Sequence, residues 1–290
     1  MKQVASIHRR GEGHWVGDGF PVHSLFSYRE LGSELTPFLL LDHAGPRDFP
    51  SAERARGVDW HPHRGFETVS IAYEGSVDHE DTAGNRGSIG PGDVQWMTAG
   101  AGVLHKEFHG SDFTRRGGRF EMLQLWVNLP AASKMTPPRY QTLRAADIPV
   151  VSLPANGGSV RVIAGEFDGA KGPAQTFTPI NLLDIRLRAG HRVRLNLHDG
   201  YTAALLVMKG GIKINDSDTA NETELVLFER AGDDATLEAI SDATVFVMNG
   251  VPIDEPIVGH GPFVMNTPEQ IAQAFVDFHN GRFGQIPTST

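Results

Sequence analysis

His61-Pro62-His63-Arg64-Gly65-Phe66-Glu67-Thr68-Val69, answered downstream by His105-Lys106-Glu107, is the stretch on which the reading of this chain turns. Extended backbone points residues i and i+2 to the same side, so His61 with His63, and His105 with Glu107, each present two donor groups to one face. Two such strand ends facing each other would make a metal cage. Three imidazoles and one carboxylate suit a divalent first-row ion such as iron, nickel, copper or zinc, and a six-coordinate ion would keep positions open for substrate. Alone, an HxH carries little weight in a chain with 13 histidines, and the singly placed ones, His79 and His109 among them, read as structural or surface residues. The pairing of the two motifs is what raises its weight.

The composition fits such a site. At 290 residues, 40% hydrophobic and 21% charged, the chain has room for one large or two ordinary domains. Its 33 Gly and 18 Pro fall in short clusters between apolar runs, which favours strands and tight turns over long helices. There is no cysteine, so disulfides, thiolate sites and a cysteine nucleophile are excluded, and any metal must take nitrogen and oxygen ligands. A net charge of −9 argues against a nucleic-acid partner held by the global field, and Arg9-Arg10 and Arg115-Arg116 read as solvated loop charges. The N-terminus lacks the apolar core of a signal peptide and no segment is long enough to span a bilayer, so a cytoplasmic monomer with no membrane contact is expected. No phosphate-binding loop, dinucleotide fingerprint or GxSxG is present.

Alternation and turn residues predict strands over 37–42, 68–73, 94–97, 103–105 and 120–129, with a hairpin at Ala83-Gly84-Asn85. Strand patterns resume at 160–164, 180–187, 192–197, 201–207, 211–214, 224–228 and 244–248. Two β-domains follow, residues 1–135 with the metal site and 136–290 without one, related by a distant duplication. One helix is predicted, near 268–279. Thr267 reads as its N-cap and Pro268 as its first residue, Ile271, Ala274, Phe275 and Phe278 form its apolar face, and Asn280-Gly281 ends it. Packing on a sheet edge is its expected role. Pro62 is expected at the start of a strand, where no ladder bond is lost.

The HPHRGFETV stretch, Gly90-Pro91-Gly92-Asp93-Val94-Gln95-Trp96-Met97-Thr98-Ala99-Gly100 and His105-Lys106-Glu107 together resemble the N-terminal cupin of the pirin family. Gly261-Pro262-Phe263-Val264-Met265-Asn266-Thr267 and the helix after it resemble that family's C-terminal segment. The resemblance implies an all-β bicupin of two antiparallel jelly-roll barrels with a short C-terminal helix. It implies one iron in the first barrel, Fe(II), with Ni, Cu, Zn, Mn or Co as alternatives, held by His61, His63, His105 and Glu107. Glu67 stands where many other cupins have their carboxylate ligand, and an outer role orienting a histidine is open to it. Arg64 would either line the pocket mouth or pair with a structural carboxylate. Gln95 and Gln124 are further pocket candidates, while Trp126 reads as barrel packing. Lys106 stands where family members often carry a small polar residue, and alternation points it away from the metal. Residues 44–60 look like a longer loop than usual before the HPH.

Two function classes follow from the resemblance. The first is a dioxygenase acting with O2 on an aromatic small molecule, a flavonol such as quercetin, with Glu107 as the base for the 3-hydroxyl and carbon monoxide released on ring cleavage. The second is a regulatory protein whose iron state sets its affinity for a metabolic enzyme or transcription factor. A degenerate cupin without metal would need failed ligand positions, yet all four carry competent residues.

Overall fold

A computed structural model describes residues 1–287. Contacts gather the chain into two compact units, neither of them one continuous stretch. One holds Gly11–Ser33, Phe38–Ala145 and the segment from Ile253 onward, and the other Met1–Arg10, Glu34–Pro37 and Ala146–Pro252. This partition departs from a single cut near residue 135 at both chain ends. The Val4–Arg9 strand is tied by backbone pairing to Glu224–Phe228, and the C-terminal helix by apolar packing to the first-half unit.

In the first-half unit, seven strands form one sheet in the order Arg139–Leu143, Val94–Thr98, Phe66–Glu74, Gly118–Asn128, Phe38–Phe49, Phe20–Ser27 and Gly13–Val16. Four strands form a second sheet in the order Gly57–His63, Val103–His109, Val77–Asp81 and Arg86–Ile89. The ladders are antiparallel. They stay two separate sheets of a jelly roll instead of one closed barrel. The expected hairpin at 83–85 joins Val77–Asp81 to Arg86–Ile89.

Pro62 lies near the end of its strand, not at the start. It is tolerated because that strand is an edge, where an absent N–H breaks no ladder. The stretch 44–60 is mostly strand, since Phe38–Phe49 runs through its first part and Gly57–His63 begins before its end, leaving only 50–56 as connection. Two short helices, Tyr28–Leu35 and Ser111–Arg116, escaped the sequence reading because neither is long enough to repeat an apolar face.

The Pro268–His279 helix has the expected bounds. Thr267 accepts from the Gln270 backbone while the Gln270 side chain caps Thr267, a full capping box. Its apolar face packs with Phe263, Met265 and Phe283. Among the described residues, no helix is long and apolar enough to cross a membrane.

The second-half unit repeats the same pattern. Seven strands run in the order Val4–Arg9, Glu224–Phe228, Thr202–Lys209, Ala243–Gly250, Ile180–Leu187, Gly158–Ala164 and Val150–Ser152, with a four-stranded sheet of Arg192–Asn196, Asp234–Ala239, Gly211–Ile214 and Asp218–Asn221. By sheet order, Arg192–Asn196 corresponds to Gly57–His63 and Asp234–Ala239 to Val103–His109. There Val193 pairs with Leu237 and Leu195 with Ala235, where the first-half unit pairs His61 with His105 and His63 with Val103. Aliphatic side chains fill this interior.

Candidate metal centre

The four-stranded sheet of the first-half unit sets the histidines. His61 lies opposite His105 in the antiparallel ladder, and alternation turns both, with His63, to the interior. Ring centroids stand 4.2 Å apart for His61 and His105, 4.9 Å for His63 and His105 and 5.0 Å for His61 and His63. Their donor nitrogens lie within 4.8 Å of one another.

Backbone carbonyls fix two of the rings. His61 Nδ1 is 2.8 Å from the Asp59 carbonyl and His63 Nδ1 is 3.3 Å from the Pro262 carbonyl. A carbonyl only accepts, so each Nδ1 carries the hydrogen and each Nε2 keeps its lone pair free for a ligand. His105 is 1% exposed, and neither of its ring nitrogens has a hydrogen-bond partner among the described residues. Burial, reinforced electrostatically by the neighbouring His61 ring, holds His63 well below the usual histidine range. Burial together with the neighbouring histidines does the same for His105. Neutral imidazoles with open lone pairs are what a metal ligand set requires, and two orphaned buried nitrogens on one ring are costly without an ion. The residues therefore fit a first-row divalent metal.

Glu107 is drawn to a different neighbour. A β-bulge in the Gly57–His63 strand sets Glu107 opposite Val58 on one side, while the regular ladder on the other side sets it opposite His79. Its carboxylate joins a second donor set, with His79 and His105, again within 4.8 Å. Gln95 Nε2 donates to its Oε1 at 2.8 Å, Ser70 Oγ to the same oxygen at 3.3 Å and Gln124 Nε2 to Oε2 at 3.1 Å. Tyr140 in turn donates to Gln95 Oε1 at 3.0 Å. Both glutamines thus touch the expected carboxylate ligand. Gln95→Ala is expected to weaken metal affinity by about 10–100-fold, as loss of an outer partner usually does. Chelator competition measures it, and unchanged affinity would show that Glu107 is no ligand.

Other candidates sort differently. Arg64 donates to the Ala101 carbonyl at 2.7 Å and to Asp277 at 2.9 Å, with its guanidinium 4.6 Å above the Phe283 ring. Of its two readings, the pairing with a structural carboxylate is the one realised. Trp126 stacks on Phe66 at 4.2 Å and meets His63 edge-on at 5.3 Å, forming an apolar wall. Lys106 points outward, 3.0 Å from Glu80 and over the Trp60 ring.

Glu67 does not orient a histidine. Ser70 reaches Glu107 from the inner face of the Phe66–Glu74 strand, so Glu67, an odd number of residues away, points to the opposite face. There Thr98 Oγ1 donates to it at 2.6 Å, and burial pushes its carboxyl up to about 7. Because the folded form holds this proton more tightly than the unfolded chain, stability falls as pH rises from about 4.5 towards 7. Glu67→Gln is expected to gain about 2 kcal/mol over the parent at pH 7.5 relative to pH 5. Urea unfolding at both pH values reads this, and a constant difference would refute it.

Sequence reasoning passed over His79. It is 3% exposed, its Nε2 is 3.2 Å from Asp81 Oδ2 and its ring stacks on Tyr140 at 4.7 Å. The alternation of Val77, His79 and Asp81 was the available signal, since it puts all three on one face.

Comparison with known proteins agrees with this architecture. The Pirin family model matches residues 19–127 and the Pirin C-terminal cupin domain model residues 182–284. A Pseudomonas aeruginosa protein named "Putative quercetin 2,3-dioxygenase" is 53% identical, covering 98% of this chain and 99% of its own. Human pirin is 40% identical over 92% of this chain and 89% of its own. A crystal structure of quercetin 2,3-dioxygenase from Acinetobacter baumannii superposes with a TM-score of 0.96 at 49% identity, covering 99% of this chain and all of that one. The fold is the all-β bicupin of those relatives, and the chain belongs to the pirin family.

Proposed function

We propose that this protein is a metal-dependent dioxygenase that cleaves flavonols of the quercetin type. The observation that carries the reading is the three-imidazole cluster, two of its rings buried and His61 half-buried, beside an amide-held carboxylate, in a chain whose near-full-length relatives bear that activity in their names. A bound divalent ion, Fe(II) first among Ni, Cu, Zn, Mn and Co, would supply a Lewis-acidic centre that stabilises an anionic enolate oxygen.

The chain's own groups prepare that chemistry. His61 and His63 present fixed Nε2 atoms because their Nδ1–H groups are held by carbonyls. Glu107 is the base for the flavonol 3-hydroxyl. Its Oε1 accepts two donors and Oε2 only one, so Oε2 is the oxygen freer to take the proton. Phe66 and Trp126 pack beside His63 and keep water from that side.

Burial of the cluster favours a second reading. His63, His105 and Glu107 are each at most 5% exposed, while His61 is half-buried. A metal-dependent regulator that binds a protein partner needs no large ligand beside the ion. The test is metal analysis of protein purified without added metal, then anaerobic quercetin binding and oxygen uptake, with His61→Ala as control. Turnover that His61→Ala abolishes supports the enzyme, and stoichiometric metal without turnover favours the regulator.

A further inference from the structure

We propose that the first-half unit offers the ion two overlapping seats: an outer one framed by His61, His63 and His105, and an inner one made by His79, His105 and Glu107. The inference rests on the cluster being a metal centre, and not on turnover of any flavonol. The inner set is two imidazoles and one carboxylate, all buried, with donor atoms within 4.8 Å of one another. That combination on one face is a ligand set which leaves three positions of a six-coordinate ion open.

His79 is built as a ligand. Asp81 is the acceptor at its Nε2, so that nitrogen carries the hydrogen and the Nδ1 lone pair is left over. Nδ1 is buried and has no hydrogen-bond partner among the described residues. Asp81 is itself held by the Asn85 side chain at 2.9 and 3.1 Å and the Asn85 backbone at 2.9 Å. Carboxylate, histidine and ion form the usual outer support of a metal site. Tyr140 stacks on the His79 ring and, through Gln95, is also tied to Glu107, so ring and carboxylate are positioned by one chain of contacts. His79 and Glu107 face each other across the ladder. His105 belongs to both sets, and both of its nitrogens lack partners. Two dications at once would face a single coordinating carboxylate, so one ion occupies one seat or the other.

The test is Co(II) titration of chelator-stripped, full-length protein, read by stoichiometry and visible absorption. His61→Ala/His63→Ala, which dismantles the outer seat, is expected to keep about one Co(II) per chain at reduced affinity. Adding Asp81→Asn is expected to weaken that residual binding by about 10–100-fold, and adding His79→Gln by at least as much. The proposal is overturned if the double variant binds no cobalt while the parent does, or if His79→Gln changes nothing in its background. A parent that binds no cobalt would instead overturn the metal reading itself. Circular dichroism checks each fold. Should His79→Gln fail to fold, anomalous scattering from Co(II)-soaked crystals of the double variant decides: an ion among His79, His105 and Glu107 supports the inner seat, and an ion elsewhere or none overturns it.

Discussion

His105→Leu is expected to abolish metal binding and at the same time to make the metal-free protein more stable by about 1–3 kcal/mol. The ring is buried and neither nitrogen has a partner, so the apo protein carries a donor and an acceptor stripped of water without compensation. Leucine has a similar volume and no polar atoms, which removes that penalty while keeping the packing. Because His105 belongs to both donor sets, no remaining set keeps three ligands. A site whose residues are costly until the ion arrives is a common form of the trade between stability and function. Urea unfolding in the presence of chelator, with metal content of the untreated protein, reads both effects. Retained stoichiometric metal, or an apo variant less stable than its parent, would count against this account.

Lys134→Met is expected to cost about 3–5 kcal/mol of stability. Lys134 is 1% exposed, and its ammonium donates to the Gly65 carbonyl at 2.8 Å, Asn128 Oδ1 at 2.8 Å and the Val264 carbonyl at 2.9 Å. Removing the donor leaves three buried acceptors without one. Gly65 directly follows the HPHR turn and has φ +88°, and a Cβ there would stand 2.0 Å from the Val264 oxygen, so the turn is closed tightly around this lysine. Burial lowers Lys134 to about 7, while the unfolded chain keeps its proton to about pH 10.4. Between those values the unfolded state binds more protons, so stability contributed by this group rises with pH, by at most about 1.4 kcal/mol per unit. Unfolding at pH 7 and pH 9 should show that slope in the parent and lose it in the variant. Equal slopes in both would refute the linkage.

Much of this protein was legible from local pattern. The helix over 268–279 and the strands over 180–187, 211–214 and 224–228 have the bounds that alternation and capping residues predict. The short helices were not, because a segment of eight residues or fewer shows little periodicity. The same limit applied at the site. His61, His63 and His105 were found because their i, i+2 spacing and their pairing are local signals. His79 carried a similar signal beside Asp81 but had no partner motif in its own stretch.

Distant segments also needed the fold to meet. The HPHRG turn is knitted to residues 262–264 by His63 and Arg64 to Pro262, by Val264 to Arg64 and by Lys134 to both Gly65 and Val264. Nothing in a linear reading sets these contacts, although both segments stand out as motifs.

The sequence by itself determined the chemistry available, namely nitrogen and oxygen donors on alternating strands and no thiols, because residue identity and a period of two are properties of each strand alone. Tertiary structure decided which donors meet. Register depends on neighbouring strands, which set His61 opposite His105 and His79 opposite Glu107 and put Thr98, not a histidine, beside Glu67.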